Sequence, residues 1–582
     1  MSFLGVEVSL SGREWLGPGV ELDRAAEALA QESGQDRAVA QVLARRGVVA
    51  AEVDAFLNPS LRDLLPDPRT LKDMVRAAKR FLQATARRER IAIFADYDVD
   101  GGTSAALLLD WLHQMGHDAT LYVPDRIDEG YGPNVPAMQA LAKDHDLIVC
   151  VDCGTLSFEP IEAVKDAEVI VLDHHLGGET LPEALAVVNP NRQDESGDLA
   201  HLCAAGVVFL MLVEVNRQRR EAGEGNGPDL MAMLDLVALA TVADVAPLTG
   251  VNRAFVVQGL KIMARRQRPG LRALGDVARM DSAPAAYHLG FLLGPRVNAG
   301  GRIGKADLGA RLLSTRNEAE AQAMAERLDQ LNTERREIEE SVRAAAMAQA
   351  EERGFDAPLV WAAGEGWHPG VVGIVASRLK EAAGRPAIVI GLEGVEGKGS
   401  GRSVSGIDLG AAIQRLASEG LLLKGGGHKM AAGLSVARDK LEAAMTRLGE
   451  LLDKQGAGGL GPRALKLDGA LMPGAASVEM VERLEAAGPY GAGAPAPRFG
   501  FPDMQIHFAK RVGDNHLKVT FGDGLGAKLD AICFGAYDGA LGSALEAHGG
   551  ARFHLAGRLE LNHWRGRVSV QLRLEDAARA AT

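Results

Sequence analysis

From about residue 70 onward, the apolar positions change period repeatedly along the chain. Leu71–Arg87 carries apolar residues at helical spacing, and Ile91–Ala95 is an unbroken apolar run of strand length. The same reading predicts helices over Thr103–Met115 and Asn134–Ala142, strands over Ala119–Val123 and Leu147–Val151, a short helix over Ile161–Ala167 and a strand over Val169–Leu172. Strands that are apolar throughout and alternate with helices imply a parallel sheet covered on both faces. Mostly helical segments follow, including His201–Arg219 and Asp229–Val242.

The patterning also predicts an order of domains. Residues 1–68 mix short helices and loops and end at Pro66-Asp67-Pro68, and the α/β domain then runs over 69–315. A connecting helix follows over 316–354. Within it Glu318–Glu352 lacks Gly and Pro and places Met324, Leu328, Leu331, Ile338 and Val342 largely at three- and four-residue steps. A second α/β domain is expected over 355–455 and a linker at Gly456–Gly461. Residues 463–578 show short alternating strands such as Arg567–Leu572, the signature of a small barrel or sandwich.

Composition narrows the class. At 582 residues, 47% apolar and 24% charged, the chain reads as a multidomain globular protein. It has no apolar run long enough for a membrane span, and its first residues, MSFLGVEVSL, lack the basic and apolar regions of a secretory signal. Four cysteines argue for a reducing compartment, hence a cytoplasmic protein. Cys150 and Cys153 have metal or redox spacing, but no second pair accompanies them. The net charge of −13 sits awkwardly with a nucleic-acid partner, since neutralised phosphates supply most of such affinity. Metal-binding carboxylates would account for part of it, and Arg498–Glu575 reverses the balance with ten Lys/Arg against eight Asp/Glu.

Candidate chemistry sits at the strand ends. Asp96, Asp98 and Asp100 follow the first strand, Asp152 follows the third, and Asp173-His174-His175 follows the fourth. One Asp after a strand is usually a cap or turn residue. Together these acids and imidazoles form a pattern, because ligands of open parallel sheets gather at the carboxyl ends of the strands. Two divalent cations about 4 Å apart would suit such a set and would support phosphodiester hydrolysis. Gly101-Gly102-Thr103-Ser104 opens a helix whose N-terminus favours anions, and Arg126 places a guanidinium at the same rim. Gly425-Gly426-Gly427-His428 has too many glycines for a comfortable element interior, so a phosphate cradle or a hinge is expected there.

Asp96-Tyr97-Asp98-Val99-Asp100-Gly101, Val151-Asp152-Cys153-Gly154, Leu172-Asp173-His174-His175 and Ala240–Val245 resemble the motifs of the DHH phosphoesterase superfamily. Pro295–Arg302 and Gly425–Gly433 are similar, more narrowly, to the RecJ single-strand exonucleases. The family usually has Ala where Val99 stands and Asn-Pro where Ala494-Pro495 stands; neither departure removes a ligand position. The resemblance implies a DHH domain, a DHHA1-type domain and a C-terminal OB-fold. It implies Asp98, Asp100, Asp152, His174 and Asp244 as metal ligands, with Asp96 as a ligand or outer base, and His175 facing a second metal or the phosphate. Asp96, His174 and His175 are thus the expected catalytic groups. Arg126, Ser400 and Arg402 would hold a 5′-phosphate, and Arg296, Asn298, Arg302 and His428 would lie along the strand. Among the C-terminal aromatics, mostly expected in the core, Trp564 is the expected base-stacking residue.

The function expected is two-metal, Mn²⁺- or Mg²⁺-dependent hydrolysis of single-stranded DNA from its 5′ end to mononucleotides, in DNA repair and recombination. A single-strand-binding protein and a helicase are the implied partners of a monomer without a membrane role. Two other readings remain open. A DHH phosphodiesterase for short oligonucleotides or cyclic dinucleotides would not need the C-terminal residues. A non-catalytic replication scaffold would not need its ligand positions filled.

Overall fold

The computed structural model describes residues 2–125, 129–459, 461, 464–564 and 566–580. It divides into two compact units, Leu65–Pro247 with Phe255–Leu460, and Met1–Leu64 with Leu248–Ala254 and Gly461–Thr582.

The first unit contains the parallel sheet. Its strands are β1 (Ile91–Ala95), β2 (Ala119–Tyr122), β3 (Leu147–Val151), β4 (Glu168–Leu172) and β5 (Ala186–Val188). Every pair is parallel and the spatial order is β2-β1-β3-β4-β5. The chain therefore reverses its direction of travel between β1 and β3, and such a switch point opens a crevice at the strand ends. Strands β1 and β3 are buried at every residue, as the apolar runs require. Helix α1 (Val99–Gln114) begins four residues before the apolar spacing predicts, because the Asp98 side chain caps it, accepting from the amides of Asp100 and Gly101. The helix expected at Ile161–Ala167 lies instead at Phe158–Glu162.

Helices α2 (Ala204–Glu221), α3 (Leu234–Ala243) and α4 (Gly294–Ile303) are among those that follow in this half. Helix α5 is continuous over Glu318–Arg353 and buries Leu328, Leu331 and Val342. It leads into a second, mixed sheet of β6 (Val360–Glu365), β7 (Ala387–Glu393), β8 (Glu396–Arg402), β9 (Lys424–His428) and β10 (Ala431–Ala437). The order is β9-β10-β8-β7-β6, with helix α6 (Pro369–Ala383) packed on β7 and β8 and helix α7 (Leu409–Ser418) on β9.

The glycine run is thus not a hinge. It is strand β9, paired antiparallel with β10 in the register Gly426↔Gly433. A Cβ at Gly425 would lie 2.7 Å from an Ile413 methyl, so the missing side chain lets α7 pack directly on the strand. Likewise a Cβ at Gly399 would lie 2.7 Å from Ile390.

In the second unit, β11 (Phe499–Val512), β12 (His516–Gly522), β13 (Lys528–Cys533), β14 (Arg552–Trp564) and β15 (Arg567–Arg579) pair in that ring, β13 with β15 and β14 back to β11. This closes a five-stranded barrel, which leaves no open sheet edge. Phe499, Phe501, Phe521 and Phe553 fill its core and Phe508 is exposed. The expected linker Gly456–Gly461 falls partly outside the described residues; within it Ala457–Gly459 forms a turn of 3₁₀ helix.

Candidate metal centre

Three carboxylates come from one tight loop after β1. The loop doubles back so closely that a Cβ at Gly101 would lie 2.4 Å from the Asp96 carbonyl oxygen. Asp98 caps α1 through one oxygen, leaving the other for the crevice. Asp100 points inward and accepts from the amides of Ala204 and Ala205, at 2.6 and 2.8 Å. Those amides open α2, so the helix start holds this anion in place.

Asp152 follows β3 with φ of 61°, a left-handed backbone that Asp tolerates better than most residues. Asp244 caps the end of α3. His174 lies among these acids, with Nε2 3.3 Å from Asp152 and 3.7 Å from Asp100, and Nδ1 3.8 Å from Asp244. Three sets have ligand atoms within 4.8 Å of one another: Asp96, Asp98 and Asp152; Asp100, His174 and Asp244; and Asp152, His174 and His175. Every sequence-predicted ligand therefore converges on one place, including Asp244, which sits far along the chain after an apolar helix.

The electrostatics suit a cation. Burial, together with the charges of Asp100, Asp98, Asp96 and Asp244, pushes the Asp152 carboxyl well above its ordinary range. Burial and the charges of Asp100 and Asp98 push Asp244 up to about 8. Asp152 Oδ1 is buried and, although His174 Nε2 stands 3.3 Å away, accepts no well-aligned hydrogen bond among the described residues. Leaving such an oxygen unmet is costly, and a divalent ion satisfies it. Oxygen ligands with one or two imidazoles suit Mn²⁺ or Mg²⁺.

A supporting layer, which sequence reasoning did not assign, fixes the histidines. Asp173 accepts from His175 Nδ1 at 2.8 Å and from the amides of His174, His175 and Thr155. Burial alone would raise the Asp173 pKa, but the His175 and Thr155 hydrogen bonds and the His175 charge hold it below the usual carboxylate range. Burial in turn works to lower His175, yet the Asp173 bond and charge overcome it and push it up to about 9. The Asp173 pairing thus favours the charged form of the His175 imidazole, a form suited to a phosphate oxygen. Asn191 donates to the His174 carbonyl at 2.6 Å and Asn189 to that of His175 at 2.8 Å. Tyr131 donates to the Asp152 carbonyl at 3.0 Å, and its hydroxyl stands 3.2 Å from the His175 ring nitrogens. Asn189 and Asn191, one and three positions after the three-residue strand β5, gave no periodic signal to find them by.

The expected substrate residues fall into three groups. Ser400, Arg402 and His428 lie on β8 and β9, where Arg402, Ala431 and His428 share one cross-strand row. Gly373 of α6 approaches them so closely that a Cβ there would lie 3.2 Å from Arg402 Nη2 and 3.5 Å from Ser400 Oγ. Arg302 joins this group by donating to the Gly370 carbonyl at 3.0 Å, at the start of the same helix. Asn298 stands at the metal loop instead, accepting from the Val99 amide at 3.0 Å. Arg296 turns to α5, pairing with Asp329 at 2.8 Å. Arg126 and the side chain of Trp564 lie outside the described residues.

A set of acids and imidazoles at the switch point of a parallel sheet, followed in sequence by a second α/β domain and a barrel, defines a DHH-type phosphoesterase. Family models agree: the N-terminal domain of the DHH family matches residues 90–241, the DHHA1 domain 356–454 and the RecJ OB domain 467–576. The "Single-stranded-DNA-specific exonuclease RecJ" of Dickeya dadantii is 40% identical over 92% of this chain and 95% of its own length. The crystal structure of Thermus thermophilus RecJ with Mn²⁺ superposes with a TM-score of 0.80 at 30% identity, covering 97% of this chain and 79% of that one. Its Mg²⁺ complex gives 0.73 at 28% identity, over 98% and 79% of the two chains. The chain belongs to the RecJ family.

Proposed function

We propose that this protein is a divalent-metal-dependent exonuclease that hydrolyses single-stranded DNA from the 5′ end to mononucleotides. The observation that carries this reading is the convergence of Asp96, Asp98, Asp100, Asp152, His174 and Asp244 into overlapping ligand sets around the buried Asp152 carboxylate. Bound Mn²⁺ or Mg²⁺ ions would supply a hydroxide nucleophile and neutralise the charge that develops on the phosphate. The protein's own groups do the rest. Asp96, with an oxygen within 4.8 Å of those of Asp98 and Asp152, takes the proton of the attacking water. The His175 imidazolium, held by Asp173, donates to a non-bridging phosphate oxygen. Ser400 and Arg402, with Arg126, hold the terminal phosphate and so set which bond is cut.

The five-stranded barrel supports a long single strand over a dinucleotide, because closed barrels of this kind track nucleic acid by backbone contacts and stacking. The filled ligand positions support an enzyme over a scaffold. Action in a reducing cytoplasm fits the four buried free thiols, and among the described residues no helix is long and apolar enough to cross a membrane. Partnership of a monomer with a single-strand-binding protein and a helicase, in repair and recombination, rests on the family resemblance.

A 50-nucleotide strand labelled at either end tests the reading. With Mn²⁺ the 5′ label is expected to appear first as mononucleotide, and chelator to stop release. Release from the 3′ label first would overturn the polarity, and preference for dinucleotides would favour the short-substrate phosphodiesterase.

A further inference from the structure

Just before α4 the chain forms one turn of π-helix over His288–Leu293. Such turns cost helix geometry and recur at functional sites. Its inner face is apolar and fully buried at Leu289 and Leu293. Gly290 of the turn and Gly294, the first residue of α4, lie against the end of α3: a Cβ at Gly290 would lie 3.3 Å from a Val242 methyl, and one at Gly294 3.3 Å from the Ala243 methyl. These are the two residues before the metal-site acid Asp244.

The outer face carries two large aromatics, Tyr287 at 60% and Phe291 at 73% exposure. Their rings are stacked on each other, with centroids 5.3 Å apart and planes 21° apart. Core packing cannot explain rings so open, and the mutual stack fixes their orientation while leaving each an outer face. A soluble protein gains little by exposing this pair unless a flat apolar partner meets it.

We propose that Tyr287 and Phe291 form a stacking platform for nucleobases of the single strand beside the metal centre. The occupant is set by place and chemistry: the turn is packed on the residues leading to Asp244, and bases have open faces only when unpaired. The platform thus recognises strandedness next to the cleavage site, where Arg402 and Ser400 read phosphate. The proposal rests on the nuclease reading above, and its test is separable from it.

A 20-nucleotide single strand with one abasic residue, walked along the first ten positions, supplies the probe. For the unaltered protein, one or two positions are expected to raise KM by about tenfold when the base is missing. In the Tyr287→Ala/Phe291→Ala protein that discrimination is expected to vanish, and Phe291→Trp to restore it. Abasic discrimination that persists in the double variant overturns the platform. So does a double variant that loses discrimination only while melting several degrees lower, with Phe291→Trp restoring neither, which would show the pair packed against protein. Failure of the unaltered protein to degrade any strand would instead overturn the nuclease reading.

Discussion

The two sheets of the larger unit solve opposite problems. The parallel sheet buries every residue of β1 and β3 and concentrates charge at its edge, where burial raises the acids of Asp152 and Asp244. The mixed sheet keeps Lys398, Ser400 and Arg402 at alternate positions of β8, with glycines at 397, 399 and 401 between them. One sheet builds a site by desolvation, which a cation must offset. The other thins its inward side chains to nothing so that helices pack close and the polar row stays accessible.

The comparison can be broken most severely at Asp152. Asp152→Asn keeps the left-handed backbone but removes a ligand charge, and is expected to cut turnover at least about a hundredfold, while a fluorescent strand still binds. Unchanged turnover would remove the metal centre as drawn. Next comes Arg402→Ala, expected to raise KM about tenfold or more for a 5′-phosphorylated strand with little change for a 5′-hydroxyl strand. Equal effects on both would detach Arg402 from the terminal phosphate.

Metal removal sharpens the contrast in stability. A carboxyl whose folded pKa is raised contributes its stability in full below the ordinary value of 3.8 and loses it as pH rises through about 8. The metal-free protein is therefore expected to melt progressively lower as pH rises from about 5 to 8, with Mn²⁺ reversing the trend. A melting temperature independent of pH without metal would contradict the crowded acids. The smallest effect is expected for Gly373→Ala, whose methyl would crowd Arg402 Nη2: a KM rise of about two- to threefold with unaltered Mn²⁺ affinity.

The same contrast explains what was legible beforehand. Runs such as Ile91–Ala95 and Leu147–Val151 announce buried parallel strands, and their observed bounds coincide with the apolar runs. The acids at their ends follow from the topology. Strand β9 hid behind its glycines, because sequence rules read glycine as a break whereas here Ile413 fills the Cβ space. Strand β5 is three residues long, too short for any period. Asp244 follows a helix apolar at almost every position, so only the motif resemblance singled it out. Asp173 was visible as part of the triplet, yet its work, holding His175 from behind, needed coordinates.

Asp96–Gly101 joins a short turn to the first residues of α1. Because Gly101 nests against the Asp96 carbonyl and Asp98 caps the helix that follows, the three acids move as a single rigid insert between a strand and a helix. An engineer could transplant that hexapeptide into another parallel sheet as one piece, carrying along a counterpart of Asn298 to grip the Val99 amide. A residue inserted anywhere within it would misplace all three oxygens at once.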